Sequence, residues 1–123
     1  TGDLGAAVKA VHAVDDAVGQ VEAAVRAAGG AMIVTADHGN AETMRDQRSG
    51  QAHTAHTMNL VPVLLCGAES AWRGAALANG RLADVAPTLL HLMGLPQPKS
   101  MTGHSLIQPR KQARAAEERT VAA

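Results

Sequence analysis

Residues 29–40 read GGAMIVTADHGN, and this stretch indicates how the chain folds on either side of it. The run at residues 31–35 is apolar without polar alternation, which is typical of a buried strand in a parallel sheet. The Gly29-Gly30 pair ahead of it predicts a helix end, because glycine takes left-handed conformations without penalty. Asp37 and His38 follow the strand directly. In open α/β sheets ligands bind at the carboxyl ends of strands, so both side chains are candidate ligand-binding groups.

A long amphipathic helix is predicted upstream of the glycine pair, over residues 3–28. Asp3 is its candidate N-cap, favourable beside the positive end of the helix. Six valines recur at spacings of three and four residues, which places them on one face of the helix. They are Val8, Val11, Val14, Val18, Val21 and Val25.

Downstream of the strand, residues 36–59 contain almost no large apolar side chains and predict a long polar loop. Loops of this length inside compact domains are usually functional or disordered. Residues 60–65, LVPVLL, predict a second apolar strand. Pro62 within it favours an edge or irregular position, since proline cannot donate a ladder hydrogen bond.

A second, shorter helix is predicted over residues 84–93. Asp84 lies near its N-cap, Pro87 in its first turn and Gly94 at its end. The chain therefore alternates helix, strand, strand and helix, which indicates an α/β fold. The remaining segments are a stretch of mixed pattern, an ordered loop and a charged, Ala-rich tail, at residues 68–82, 94–109 and 110–123.

Composition bounds the possible functions. The 123 residues carry eleven basic and eleven acidic side chains, so the formal charge is zero and gives no electrostatic reason to expect a nucleic-acid or membrane partner. Hydrophobic residues make up 46%, but many are alanine and Trp72 is the single aromatic, which predicts a thin core. Cys66 is the single cysteine, which excludes an internal disulfide and favours a reducing compartment. No apolar run reaches membrane-spanning length.

The polar loop carries a candidate metal site. The carboxylate of Asp37 and the imidazole of His38 offer oxygen and nitrogen donors that suit Mn²⁺, Zn²⁺ or Fe²⁺. Consecutive side chains of a strand point to opposite faces, so both can reach one ion only where the backbone has left the strand. Gly39 permits such a turn and a close backbone approach. His53 and His56 extend the donor set, although each motif taken separately also fits ordinary surface polarity.

Three longer blocks carry a family resemblance: TADHGNAE, GQAHTAHTMNLVPVLL and RLADVAPTLLHLMGLPQPKSMTGHSL. In this order they resemble the C-terminal part of the cofactor-independent (2,3-bisphosphoglycerate-independent) phosphoglycerate mutases, which are two-metal enzymes of the alkaline phosphatase superfamily. The resemblance runs from Thr1 to about Leu106. It implies that residues 1–109 form the C-terminal portion of a three-layer α/β/α domain with a parallel-rich sheet, followed by the tail at residues 110–123.

The resemblance also implies roles for particular residues. Asp37 and His38 match the adjacent Asp-His pair that holds one metal, and His56 matches a ligand of the second. His53 matches no ligand of the family. The nucleophilic serine and the remaining ligands are expected upstream of Thr1, so the chain contains no catalytic nucleophile and starts at a truncation point. The cofactors implied are two divalent ions, Mn²⁺ first with Zn²⁺, Co²⁺ or Fe²⁺ as alternatives, and no 2,3-bisphosphoglycerate.

The implied activity is the interconversion of 3-phosphoglycerate and 2-phosphoglycerate through a phosphoserine, in cytoplasmic glycolysis and gluconeogenesis. This chain is expected to be inactive alone, and to need the missing N-terminal part, or self-association, to cover its apolar faces. Two alternatives stay open. One is a small non-catalytic metal-binding module that uses Asp37, His38, His53 and His56. The other is a different phosphotransferase of the alkaline phosphatase superfamily, such as a phosphopentomutase or a phosphomonoesterase.

Overall fold

The computed structural model describes residues 2–67, 72 and 75–108. The chain divides into two compact units, Thr1–Gly67 and Ala68–Ala123. In chain order the elements are α1 (Leu4–Ala27), β1 (Met32–Thr35), β2 (Val63–Cys66), a 3₁₀ turn (Leu82–Asp84) and α2 (Val85–Leu92). The tail predicted at residues 110–123 lies outside the described residues. Of the helices that are described, none is long and apolar enough to cross a membrane.

Helix α1 forms as the sequence predicts. The Asp3 side chain caps it by accepting a hydrogen bond from the Ala6 amide at 3.1 Å. Its end is fixed by Gly29, whose φ of 68° is the left-handed conformation that glycine tolerates. The valine stripe is largely open to solvent within this unit, since Val8 is 48% exposed and Val14 is 62% exposed. The amphipathic pattern therefore predicts the helix correctly, while the described residues leave much of its apolar face uncovered.

Strands β1 and β2 pair antiparallel, in a register that runs from Met32 opposite Cys66 to Thr35 opposite Val63. The prediction that residues 31–35 belong to a parallel pair is therefore wrong for the pairing with β2. Strand β1 lies where the sequence predicts it, whereas β2 begins at Val63, three residues later than predicted, so Pro62 lies before the strand. The physical reason is the connection. A parallel pair needs a crossover that returns the chain to its starting end, usually through a helix, and residues 36–62 contain none. Instead this segment turns back on itself.

The segment 36–62, which we call the polar arm, extends the antiparallel pair as an irregular hairpin. The amide of Asp46 donates to the carbonyl of Gln51 at 2.9 Å and closes the tip. Gly50, with a φ of 67°, allows the chain to reverse there. The predicted polar loop therefore has pairing of its own. Single antiparallel bridges continue the ladder beyond Thr35, at Gly39 with Thr57 and at Arg45 with Ala52.

The second unit is organised around two buried polar side chains. Thr88, on α2, is fully buried; its hydroxyl donates to the Asp84 carbonyl at 2.6 Å and accepts from the Leu106 amide at 2.9 Å. The Asp84 carboxylate accepts from the amides of Arg81 and His104 at 2.7 and 2.8 Å. These two amides hold the pKa of the Asp84 carboxyl below its ordinary value, with the His104 amide contributing most. The helix predicted at residues 84–93 and the ordered loop after it are thus joined by hydrogen bonds.

Replacing Thr88 with valine should destabilise the second unit, because valine has nearly the same shape but no hydroxyl. The buried Leu106 amide would lose its acceptor, and an unsatisfied buried donor costs about 1–3 kcal/mol of unfolding free energy. Urea unfolding followed by Trp72 fluorescence measures this, since the Trp72 ring packs edge-on against His91 with centroids 4.8 Å apart. Thr88→Ser keeps the hydroxyl and serves as the control. Equal stability of the valine variant and the wild type would contradict the proposed role of the hydroxyl.

Candidate metal centre

Asp37 and His38 lie one residue beyond the end of β1, where the backbone has left the strand. Asp37 Oδ1 lies 3.6 Å from His38 Nε2, and the two side chains are 88% and 37% exposed. Two donors that share a tetrahedral ion at bond lengths of about 2.1 Å lie about 3.4 Å apart. The observed separation is close to that value. The pair therefore fits two ligands of one ion, as its donor chemistry predicts.

A hydrogen bond from Nδ1 of His38 leaves Nε2 available to bind a metal ion. His38 Nδ1 lies 3.0 Å from the Gly39 carbonyl oxygen. Because a carbonyl can only accept, Nδ1 carries the proton, and in the neutral ring the lone pair is on Nε2, the atom that faces Asp37. Metal-binding histidines are usually oriented in this way, with the other ring N–H donated to a carbonyl or carboxylate.

His56 lies beside His38 although the two are distant in sequence. Their ring centroids are 3.8 Å apart and the planes are tilted by 40°. The Asn40 side-chain amide lies 3.4 Å from His56 Nδ1, within reach of a long hydrogen bond. The polar arm thus brings together the three residues for which the sequence predicts metal-binding roles.

His53 is placed elsewhere on the arm. Its main-chain amide donates to the Met44 carbonyl at 3.0 Å, and its Nε2 is buried with no hydrogen-bond partner in the part of the chain that the structure describes. Across residues 2–67, 72 and 75–108, no three His, Cys, Asp or Glu side chains are arranged to hold one ion. The four-residue site of the module hypothesis is therefore not formed there. What the described chain offers is an Asp-His pair and a neighbouring imidazole.

Gly39 lies at the centre of this arrangement. Its carbonyl oxygen accepts from His38 Nδ1 at 3.0 Å and from the Thr57 amide at 2.8 Å. The residue is buried, and a β-carbon on it would overlap the Thr57 hydroxyl and the Glu42 carboxylate. Its φ is not in the left-handed region. Gly39 therefore allows the close approach that the sequence predicts. The residue that approaches it is Thr57, on the returning strand of the arm.

Sequence reasoning assigned no role to Glu42, yet its carboxylate joins the two strands of the arm. It accepts hydrogen bonds from the Thr57 hydroxyl, from the Asn40 amide at 2.6 Å and from Asn59 Nδ2 at 2.9 Å. These donors lower the pKa of Glu42 from 4.5 to about 2, with the Thr57 hydroxyl contributing most. Glu42 and Thr57 are 15 residues apart and meet only through the hairpin pairing, so no local sequence signal could reveal the contact.

The sequence of the chain matches that of known metalloenzymes. The profile of the Metalloenzyme superfamily matches residues 1–97, which include Asp37, His38 and His56. The chain is 64% identical over 107 residues to the 2,3-bisphosphoglycerate-independent phosphoglycerate mutase of Ruegeria sp. (strain TM1040), covering 87% of this chain and 21% of that enzyme. It is 63% identical over 108 residues to the same enzyme of Dinoroseobacter shibae, covering 88% of this chain and 21% of the relative.

The fold is also similar to that of a solved structure. The crystal structures of Leishmania mexicana phosphoglycerate mutase at low cobalt concentration match with a TM-score of 0.73 and 35% identity, covering 87% of this chain and 22% of that one. The predicted α/β fold class and the resemblance to these mutases are therefore confirmed. The chain spans about a fifth of the length of the curated relatives that it matches.

The Glu42 network predicts an unusually acidic carboxyl group. A ¹³C NMR titration should find Glu42 titrating near pH 2 rather than near 4.5. Since the folded pKa lies below the ordinary one, the stabilisation is present above pH 4.5 and is lost as the pH falls toward 2. Thr57→Val should raise the pKa of Glu42 by removing its largest cause, while Thr57→Ser, which keeps the hydroxyl, should leave it low. A wild-type Glu42 that titrates near 4.5 would show that the network is absent in solution.

Proposed function

Because this chain belongs to the Metalloenzyme superfamily, we propose that it is the C-terminal part of a cofactor-independent phosphoglycerate mutase and supplies ligands to two divalent ions. The observation that carries the proposal is the 3.6 Å separation of Asp37 Oδ1 and His38 Nε2, with the His56 ring beside them. The identity of more than 60% to two such mutases supports this choice of reaction over other phosphotransferases.

The proposed reaction interconverts 3-phosphoglycerate and 2-phosphoglycerate. Bound divalent ions would neutralise charge on the phosphoryl oxygens and favour ionisation of a hydroxyl nucleophile. Asp37 and His38 would hold one ion and His56 the other. The Gly39 carbonyl keeps the proton of His38 on Nδ1, so that Nε2 stays free to bind. The Asp37 side chain is 88% exposed in this chain, so its carboxylate is accessible to an ion from solvent.

The nucleophilic serine and the remaining ligands are proposed to come from the part of the relatives' length that this chain does not span. Mn²⁺ is the first candidate for both ions, and Co²⁺ is a reasonable second because a related enzyme was crystallised with cobalt. With phosphoglycerate as substrate, the natural setting of the reaction is glycolysis and gluconeogenesis in the cytoplasm.

Calorimetric titration with Mn²⁺ tests the proposed ligands. Asp37→Asn and His38→Gln should each weaken binding by at least about tenfold, because even the outer partners of metal ligands contribute about 10–100-fold to affinity. His12→Gln, on the exposed surface of α1, is the matched control and should bind as the wild type does. His53→Gln should also leave affinity unchanged. Binding that is insensitive to Asp37 would contradict the proposed centre. Binding that requires His53 as well as Asp37 and His38 would favour the non-catalytic module.

A chimera tests the proposed reaction. The 123-residue chain alone, with Mn²⁺, should not interconvert the two phosphoglycerates, because the proposed nucleophile lies outside it. When it replaces the matching fifth of the Ruegeria mutase, the enzyme should be active, and Asp37→Asn in the chimera should abolish turnover. A coupled spectrophotometric assay measures both. Turnover by the chain alone at confirmed intact mass would refute the proposed source of the nucleophile, and a folded but inactive chimera would refute the proposed reaction.

A further inference from the structure

We propose that Glu42 is a positioning residue for His56, acting through Thr57, and that Asn40 orients the His56 ring itself. This inference rests on the proposed function, in which His56 binds one of the divalent ions. It assigns a role to two residues that lie beside the centre and carry no ligand role in the resemblance.

His56 needs such support because, in the part of the chain that the structure describes, its side chain is exposed and is not packed into a core. An exposed imidazole moves among several rotamers, whereas a ligand must be held within a fraction of an ångström of its productive geometry. The contacts available to the ring are the His38 ring, with centroids 3.8 Å apart, and the Asn40 amide, 3.4 Å from Nδ1. Its orientation therefore depends on polar contacts and on the direction of the main chain at residue 56.

Thr57 fixes that main-chain direction at two points. Its amide donates to the Gly39 carbonyl at 2.8 Å, and its hydroxyl donates to Glu42 Oε1. One bond alone would leave the peptide free to rotate about it. Two bonds, one from the backbone and one from the side chain, hold Thr57 and with it the adjoining Cα of His56. Glu42 thus acts on the histidine through its sequence neighbour.

The second carboxylate oxygen of Glu42 holds the other contact of the ring. Glu42 Oε2 accepts from the main-chain amide of Asn40 at 2.6 Å, and the side chain of Asn40 approaches His56 Nδ1. One carboxylate therefore holds both the residue that follows His56 and the residue whose amide faces its ring. Asn59 adds a further hydrogen bond to Oε1 at 2.9 Å.

A purely structural role would predict that any strongly bonded carboxylate on the arm matters equally. Asp46 provides the comparison, because its Oδ1 closes the hairpin tip by accepting from the Arg48 amide, the Ser49 amide and the Ser49 hydroxyl at 2.9, 2.7 and 3.0 Å. It accepts as many hydrogen bonds as Glu42. None of these hydrogen bonds is with His38 or His56, so Asp46→Ala is the matched control for Glu42→Ala.

The experiment uses NMR of the 123-residue chain, first without metal. The wild type should show a nuclear Overhauser effect between the His38 and His56 rings. Glu42→Ala, Thr57→Val and Asn40→Ala should each lose it, Thr57→Ser should restore it, and Asp46→Ala should keep it. Loss of the effect in Asp46→Ala as well, or its retention in both Glu42→Ala and Thr57→Val, would overturn the positioning role.

The same samples are then titrated with Mn²⁺, whose paramagnetism broadens nearby ring protons. The concentration that half-broadens the His56 signals should rise by about 10–100-fold in Glu42→Ala and Thr57→Val, which is the range for outer partners of metal ligands, and stay unchanged in Asp46→Ala. Equal concentrations in wild type and Glu42→Ala would overturn the positioning role and leave the proposed function intact. Absence of broadening at His38 and His56 in the wild type would overturn the proposed function, while the metal-free ring contact would still decide the positioning role.

Discussion

The Gly39 carbonyl oxygen accepts two hydrogen bonds, one from His38 Nδ1 and one from the Thr57 amide, and the candidate centre depends on both. The bond from His38 Nδ1 leaves Nε2 of the same ring free to bind an ion. The second joins the outgoing and returning strands of the polar arm and so brings His56 to His38. Only glycine allows this approach, because a β-carbon would occupy the space of the Thr57 hydroxyl and the Glu42 carboxylate. A single backbone oxygen thus couples the tautomer of His38 to the placement of His56.

This coupling explains which parts of the molecule could be predicted from the sequence. Helix α1, its Asp3 cap, its end at Gly29 and the approximate positions of both strands follow from local patterns of apolar residues and glycine. The antiparallel pairing does not, because the apolar run at residues 31–35 looks the same in either orientation. The direction is decided by the polar arm, whose bridges at Gly39 with Thr57 and Arg45 with Ala52 are invisible to periodicity.

The candidate site divides in the same way. Asp37 and His38 are recognisable because they are adjacent and follow a strand, and His56 because it lies in a block that resembles known enzymes. Glu42 and Asn40 carry no such signal. Their contacts join residues about 15 positions apart, and their chemistry, a carboxylate and an amide in a polar loop, is that of any exposed turn. Candidate metal ligands can be inferred from the type and spacing of their donor atoms. The residues that orient those ligands can be identified only once the pairing of the two strands of the arm is known.

Hydrogen bonds, more than buried apolar side chains, fix the conformation of each unit. In the described residues the largest fully buried side chain is Thr88, the buried apolar side chains are Pro87 and Leu106, and several valines of α1 are exposed. Apolar burial is non-directional and would not by itself select one hairpin register. The bonds at Gly39, Glu42 and Asp46 are directional and local to the arm. The two histidines can therefore be held in contact by a segment that contributes little to a core. This is how a chain spanning about a fifth of its relatives' length can hold the residues of the proposed metal centre close together.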